Sequence, residues 1–378
     1  MNIVIAPNAF KNSLSAAEAA AAIHKGFTQS RLACVCTEFP IGDGGDGTAS
    51  LIIQHMEGRL ITKEVKDPLG RTIRASFGLI DNGATAVIEM ADASGLRLLQ
   101  PGEYNPMQET SYGTGELIKA ALDEKVKKII LCIGGSATVD GGSGIMQAMG
   151  IRLKDIDDIE LLDLPASLVR LHTIDLSEKD SRILDTELVI LCDVENRLLG
   201  EQGAAAVFGP QKGASFHDML MLEEGLAQLS KTVLDKTGRD MAMVKHGGAA
   251  GGVAAGLYAL FNAQLVNGID YFLTITQFER VLTDAGLVIT GEGSIDRQTL
   301  QGKGPFGVAK KAKQLSLPVI GLAGKVPLQP DESLSSYFDI LLPISHESME
   351  ITAALQHTRD NLTRTASLLG NLIALSNK

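Results

Sequence analysis

The stretch Ile3-Val4-Ile5-Ala6-Pro7-Asn8-Ala9-Phe10-Lys11, followed by Ser15-Ala16-Ala17-Glu18, sets the architecture. Ile3 to Ala6 is a short, wholly apolar run closed by turn residues, the pattern of a strand buried on both faces in a parallel sheet. Ser15 and Glu18 have capping-box spacing, and the alanine-rich segment behind them predicts a helix to about Thr28. Strand, turn and helix in that order form the unit of an α/β fold. The rhythm recurs where the run from Val35 to Ile41 leads into Gly42-Asp43-Gly44-Gly45-Asp46-Gly47 and a helix from about Thr48. Toward the C-terminus Leu287 to Thr290, Pro318 to Leu322 and Asp339 to Ile344 read as further buried strands. Pro305 suits the first turn of a helix to about Leu315, and a last helix is expected from about Met349 to Leu375.

The middle has a different texture. Strand-like runs at Ala86 to Glu89, Lys128 to Ile133 and Leu188 to Cys192 alternate with glycine-rich segments, and Ser215-Phe216-His217-Asp218 predicts a capped helix to about Thr237. Similar ends around a dissimilar centre predict a discontinuous parallel-sheet α/β domain, residues 1–81 and 286–378. A second α/β domain, residues 82–285, is inserted into it. At 378 residues the chain is long enough for two domains.

Composition removes several classes. A net charge of −11 without a basic stripe argues against nucleic-acid binding. No apolar run approaches the ~18 residues that span a membrane, and no signal peptide is expected where a strand-like run opens the sequence without a basic region before an apolar stretch. Cys34, Cys36, Cys132 and Cys192 are expected as reduced, buried thiols of a cytoplasmic protein. The seven histidines show no zinc-ligand spacing, and the chain has no P-loop, no serine elbow and no H-E-x-x-H. A homo-oligomer is compatible with the sequence, which does not specify one.

Five segments share one design, an apolar strand followed by a glycine-rich or polar turn, and ligands of open α/β sheets gather at such strand ends. Lys11 follows the first strand and can place an ammonium on a phosphate oxygen. Gly42 to Gly47 formally matches the dinucleotide fingerprint G-x-G-x-x-G. Asp43 and Asp46, however, would repel a pyrophosphate unless a metal lay between them. Gly134-Gly135-Ser136-Ala137-Thr138 can form a nest of N–H groups for an anion, and the nearby Asp140 can cap the following helix or hold a metal. Asp193 ends a strand, where a carboxylate can take a proton from an attacking hydroxyl or cap a turn, and Lys212 lies downstream in a constrained loop. Gly291-Glu292-Gly293-Ser294-Ile295-Asp296, with Lys303, is the densest stretch. Acids, a few lysines and phosphate-sized turns without an organic-cofactor motif suit phosphoryl transfer, which rests on positioning and charge neutralisation.

Seven motifs, in order, resemble the type I glycerate kinase family. They are Ala6 to Ser15, Asp43 to Thr48, Gly134 to Gly142, Cys192-Asp193-Val194, Phe208 to Gly213, Ala249 to Gly252 and Gly291 to Lys303. The resemblance implies ATP- and Mg²⁺-dependent phosphorylation of D-glycerate in glyoxylate or sugar-acid metabolism, expected at the 2-hydroxyl, with the 3-phosphate or another small hydroxy acid as the alternative. It also implies a flavodoxin-like domain from the two chain ends and a restriction-endonuclease-like inserted domain. On that footing Asp193 is expected as the general base and Asp43 or Asp296 as magnesium ligands. Gly134, Gly135, Ser136 and Thr138 would bind an anion, and Lys11 and Lys303 would neutralise the transferring group. Lys212 and Glu292 complete the expected substrate and phosphate contacts. The chain departs from the family at Asn8, where an aspartate is common, and at Val139, where an asparagine is common.

Overall fold

The computed structural model describes residues 1–329, 331–347 and 350–376. Its strands are β1 (Asn2–Pro7), β2 (Val35–Glu38), β3 (Arg59–Lys66), β4 (Thr72–Ile80), β5 (Thr85–Glu89), β6 (Lys128–Cys132), β7 (Arg152–Lys154), β8 (Thr173–Asp175), β9 (Glu187–Cys192), β10 (Gln264–Asn267), β11 (Leu287–Ser294), β12 (Val319–Lys325) and β13 (Ile340–Pro343). The chain divides into two compact units, Met1–Asp43 with Ile269–Lys378, and Gly44–Gly268.

The first unit carries a five-stranded sheet in the order β13-β12-β11-β1-β2, parallel throughout. Counted within the unit this is 2-1-3-4-5, the flavodoxin-like order, whose direction reverses between β1 and β11. Ile3 pairs with Leu287 and Pro7 with Gly291, so both strands end at the same level. Everything in β1 beyond Asn2 is buried, as a strand covered on both faces requires. The helix Ala16–Gln29 begins with the expected capping box, Ser15 accepting from the Glu18 N–H while Glu18 reaches back. Its apolar face, Ile23 and Phe27, packs on Leu362, Ala366 and Leu369 of the helix Thr358–Ser376. Helices Ile351–Gln356 and Thr358–Ser376 occupy most of the expected last helix. Met349, its expected start, lies outside the described residues.

The second unit carries a mixed sheet in the order β10-β9-β6-β5-β4-β3. From β5 to β10 the pairs are parallel, while β3, β4 and β5 run antiparallel. A short antiparallel pair, β7–β8, stands apart. The helix Phe216–Thr237 starts with the Ser215–Asp218 capping box and buries Leu222, Leu226, Leu229 and Val233.

The boundaries expected at 81/82 and 285/286 are displaced. Residues 59–80 form the hairpin β3–β4, which extends the second sheet from its β5 edge. Its turn is organised by buried Asp67, which accepts from the N–H groups of Leu69 and Arg71 and pairs with the Arg71 guanidinium at 2.5 Å. Residues 269–285 belong to the first unit. There Phe278 packs on Phe39 with ring centroids 4.9 Å apart, and Ile269 lies against Gly307. None of the cysteines is bridged. Cys132 and Cys192 are buried as expected, but Cys34 and Cys36 are only half-buried, because they sit in and beside the edge strand β2. No helix among the described residues is long and apolar enough to cross a membrane.

Candidate active site

In the first unit the reversal between β1 and β11 gathers Asn8, Lys11, Asp43, Glu292, Asp296 and Lys303. Asn8 follows β1, and its N–H donates to the Gly291 carbonyl at 2.8 Å. Its side-chain amide donates to Asp43 Oδ2 at 2.7 Å, and the same oxygen accepts from the Gly304 N–H at 3.2 Å. The departure at position 8 therefore supplies a donor that orients Asp43, where an aspartate would repel it. Lys11 is exposed, with its backbone nitrogen beside Gly293.

Glu292 is buried at the carboxyl end of β11 and accepts from the Thr299 hydroxyl at 3.0 Å. Desolvation pushes its carboxyl up to about 7, aided by the charges of Asp43 and Asp296 and opposed by that of Lys303. Asp296 caps the 3₁₀ turn Arg297–Gln301, its Oδ1 accepting from the Gln298 N–H at 2.8 Å. Lys303 stands at the N-cap of the helix Gly304–Gln314, with Pro305 in its first turn as expected. Three carboxyl groups lie near one another here, with Lys303 as the cation acting on Glu292. Among the described residues no group of three or more His, Cys, Asp or Glu side chains is arranged to hold a metal. That donor set does not suit a resident structural metal. It does fit Mg²⁺, which takes one or two carboxylates together with water and substrate phosphates.

Glu292→Gln checks this electrostatic picture. A carboxyl raised to about 7 in the fold stays protonated where the unfolded chain has already ionised, so the native state loses stability as pH climbs from the ordinary carboxyl range to about 7. Wild-type unfolding free energy should fall across that window by a few kcal/mol relative to the variant. Equal slopes in urea titrations from pH 5 to 7.5 would remove Glu292 from this role.

In the second unit the turns after β6 and β9, neighbouring parallel strands, hold the other expected residues. Gly134 donates its N–H to the Gly44 carbonyl at 3.0 Å, and Gly135 adopts φ +69°. Ser136 and Thr138 are buried, and the Thr138 hydroxyl has no hydrogen-bond partner among the described residues. Val139 is buried in the apolar core, so its loss of polarity relative to the family falls on the inner side of the turn. Lys212, expected as a phosphate contact, is only 2% exposed and donates to Ser136 Oγ at 2.9 Å and to the Thr138 carbonyl at 2.7 Å. The ammonium grips the turn, and the Ser136 O–H stays available as a donor. Asp140 accepts from the Ser111 N–H and hydroxyl and from the N–H groups of Gly142 and Gly144. Those bonds tie it to the start of the helix Ser143–Ala148, whose N-cap residue is Gly142.

Asp193 is half-buried at the carboxyl end of β9. Past it, Glu195 pairs with Lys245 at 2.6 Å, and His246 Nδ1 lies 2.6 Å from the Val194 carbonyl, a structural role.

The sequence reading did not single out Glu89. It is 4% exposed, and its two oxygens accept from the N–H groups of Gly47 and Ala49, at 3.3 and 2.9 Å, where the helix Thr48–His55 begins. Burial pushes it up to about 8, with Asp46 and Asp92 adding and Arg97 opposing. The fingerprint at Gly42 to Gly47 thus has its strand and helix, but a side chain already occupies the N–H groups a pyrophosphate would need. The segment is a built turn, and the dinucleotide reading loses its only support. A strand-end glutamate such as Glu89 looks like any core-edge residue until its partners 40 positions upstream are known.

Comparison with known proteins identifies the relatives of the whole chain. The model of the glycerate kinase family matches residues 3–374. The glycerate kinase of Bacillus subtilis (strain 168) is 43% identical over 379 residues, covering 100% of this chain and 98% of the relative. The glycerate 2-kinase of Escherichia coli (strain K12) is 40% identical over 379 residues, covering 99% and 98%. A crystal structure assigned as glycerate kinase 2 from Salmonella typhimurium LT2 superimposes with a TM-score of 0.83 at 40% identity, covering 100% of this chain and 99% of that one.

Proposed function

The chain belongs to the glycerate kinase family, and from that premise we propose that it transfers the γ-phosphoryl group of ATP to the 2-hydroxyl of D-glycerate with Mg²⁺ as companion cation. Family membership makes it a kinase. The nucleotide, the metal and the position of phosphorylation are the proposal. One observation carries it: Asp43, Glu292 and Asp296 meet Lys303 at the reversal point of a 2-1-3-4-5 sheet, the place where such folds bind ligands.

Bound there, Mg²⁺ would neutralise part of the phosphate charge, with Asp43 and Asp296 as its protein ligands. Asn8 and the Gly304 N–H orient Asp43 for that task. Lys11 and Lys303 would draw the charge of the transferring group, and the start of the helix Gly304–Gln314 suits a phosphate oxygen. In the second unit, the N–H groups of Gly134 and Gly135 and the Ser136 hydroxyl would hold an anion, either an ATP phosphate or the glycerate carboxylate. Asp193 would accept the proton of the attacking hydroxyl. The 2-hydroxyl is preferred because the relative from Escherichia coli carries the name glycerate 2-kinase. The setting is organic-acid metabolism in the cytoplasm.

Incubation with ATP, Mg²⁺ and D-glycerate, read by phosphorus NMR, tests nucleotide, substrate and position together. Phosphate on the 2-oxygen is coupled to a single carbon-bound proton and gives a doublet, whereas phosphate on the 3-oxygen gives a triplet. The doublet is expected. A triplet overturns the assigned position, and the absence of any phosphomonoester overturns the reaction.

A further inference from the structure

Residues 104–111 connect three parts of the second unit. At one end, Gly213 adopts φ +92° and packs so closely that a Cβ there would lie 2.5 Å from the Tyr104 carbonyl oxygen. The turn that carries Lys212 is therefore docked directly on this segment. At the other end, Ser111 is bonded to Asp140, which also accepts from the Gly144 N–H in the helix after the Gly134–Thr138 turn. Between them sits Glu109, with no measurable exposure. Its Oε1 accepts from the Asn105 N–H at 2.8 Å, and its Oε2 has no hydrogen-bond partner among the described residues.

A buried ammonium and a buried carboxyl group in one compact region present a clear physical problem. Each costs several kcal/mol to desolvate in its charged form, a cost that a nearby opposite charge reduces. The acceptors of Lys212, the Ser136 hydroxyl and the Thr138 carbonyl, are neutral and cannot balance its charge. Two acids influence Lys212, Glu109 first and Asp140 second. Asp140 is already satisfied by four donors, while half of Glu109 is unclaimed. The coupling is mutual: burial pushes Glu109 up to about 7 and Lys212 down to about 8, and each opposes the shift of the other.

We infer that Glu109 is the internal counter-ion of Lys212, and that this buried pair is a positioning device that fixes the Ser136–Thr138 turn in its anion-binding shape. Lys212 is then a positioning residue that acts through Ser136. The inference rests on the kinase reading only for the part of its test that uses activity.

The experiment compares wild type, Glu109→Gln, Lys212→Met and the double variant in the full chain, by thermal unfolding and by the pH profiles of kcat and KM. Removing the carboxylate lets the buried ammonium release its proton more readily. The alkaline limb of kcat/KM should therefore move down by about one pH unit or more in Glu109→Gln. The double variant should unfold at a higher temperature than the less stable single variant, because it leaves no lone buried charge. Its kcat/KM should nevertheless stay about a hundredfold below wild type, since the turn has lost its anchor. An unshifted alkaline limb overturns the counter-ion role. A double variant that folds no better than the worse single, including one that does not fold at all, overturns the pairing. A double variant with wild-type kcat and KM overturns the positioning role. If the wild type itself phosphorylates nothing, the kinase reading fails, and the unfolding temperatures still decide the pair.

Discussion

Asp193→Asn should lower kcat by roughly 10²–10⁴-fold, the usual contribution of a positioned general base. Unfolding temperature and both Michaelis constants should stay close to wild type. The substitution preserves the size of the side chain and its capacity to accept a hydrogen bond. It removes only the ability to hold a proton at neutral pH. Stability should be little affected, because the side chain is half-buried and lies beyond the last residue of β9, outside the sheet ladder. The turn carrying Gly134 leaves the same end of the neighbouring strand β6, so an anion held by that turn lies on the Asp193 side of the sheet. Glu195→Gln is the companion measurement. Glu195 is exposed and paired with Lys245 at 2.6 Å, and neutralising it changes the local charge without touching the strand end. Its kcat should remain near wild type. Near-normal turnover in Asp193→Asn would take the base role away from Asp193, whereas equal losses in both variants would reduce the effect to local charge.

Much of the fold could be read from local patterns because the governing interactions are local. The capping boxes at Ser15 and Ser215, the proline at 305 and the apolar runs of β1, β6, β9 and β11 each depend on neighbours a few positions away. The hairpin β3–β4 was not legible in the same way. Its outer strand β3 buries only Val65 and carries polar residues such as Lys63 and Glu64, and the hairpin's place in the second sheet follows from the pairing of β4 with β5. That pairing moves the domain boundary from residue 81 to the turn at Asp43 and Gly44, where no composition change marks it.

The candidate site divides along the same line. Strand-end placement, the property that selected Asp193, Glu292 and the Gly134 turn, is a sequence pattern and the structure has those residues at strand ends. Orientation and burial are not sequence patterns. Lys212 looks like a loop lysine until its two acceptors, 76 and 74 residues away, are seen to enclose it. Glu89 and Glu109 give no local signal, since a single acid in an apolar context is distinguished only by its distant partners. Asn8 looked like the loss of a carboxylate and proves to be the gain of a donor for one.

Gly134→Ala is expected to impair both folding and catalysis, for a steric reason. Gly134 does not have a positive φ, so its backbone would accept any residue. The obstacle is space. A Cβ at this position would stand 2.4 Å from Gly45 Cα, 2.6 Å from its carbonyl carbon and 2.8 Å from the Asp46 nitrogen. All three are backbone atoms, so no side chain can rotate aside. Relief requires the two turns to separate, which would break the bond from the Gly134 N–H to the Gly44 carbonyl. Overpacking of this kind costs about 1–3 kcal/mol, and a displacement near 1 Å in a positioning turn lowers kcat/KM by about 10²-fold. Gly200→Ala separates backbone strain from crowding. Gly200 has φ +96° with nothing within 4 Å of the added Cβ, so it should cost about 1–2 kcal/mol through the left-handed backbone alone and leave kcat unchanged. If Gly134→Ala matches Gly200→Ala in both stability and turnover, the contact between the two glycine turns does not organise the site.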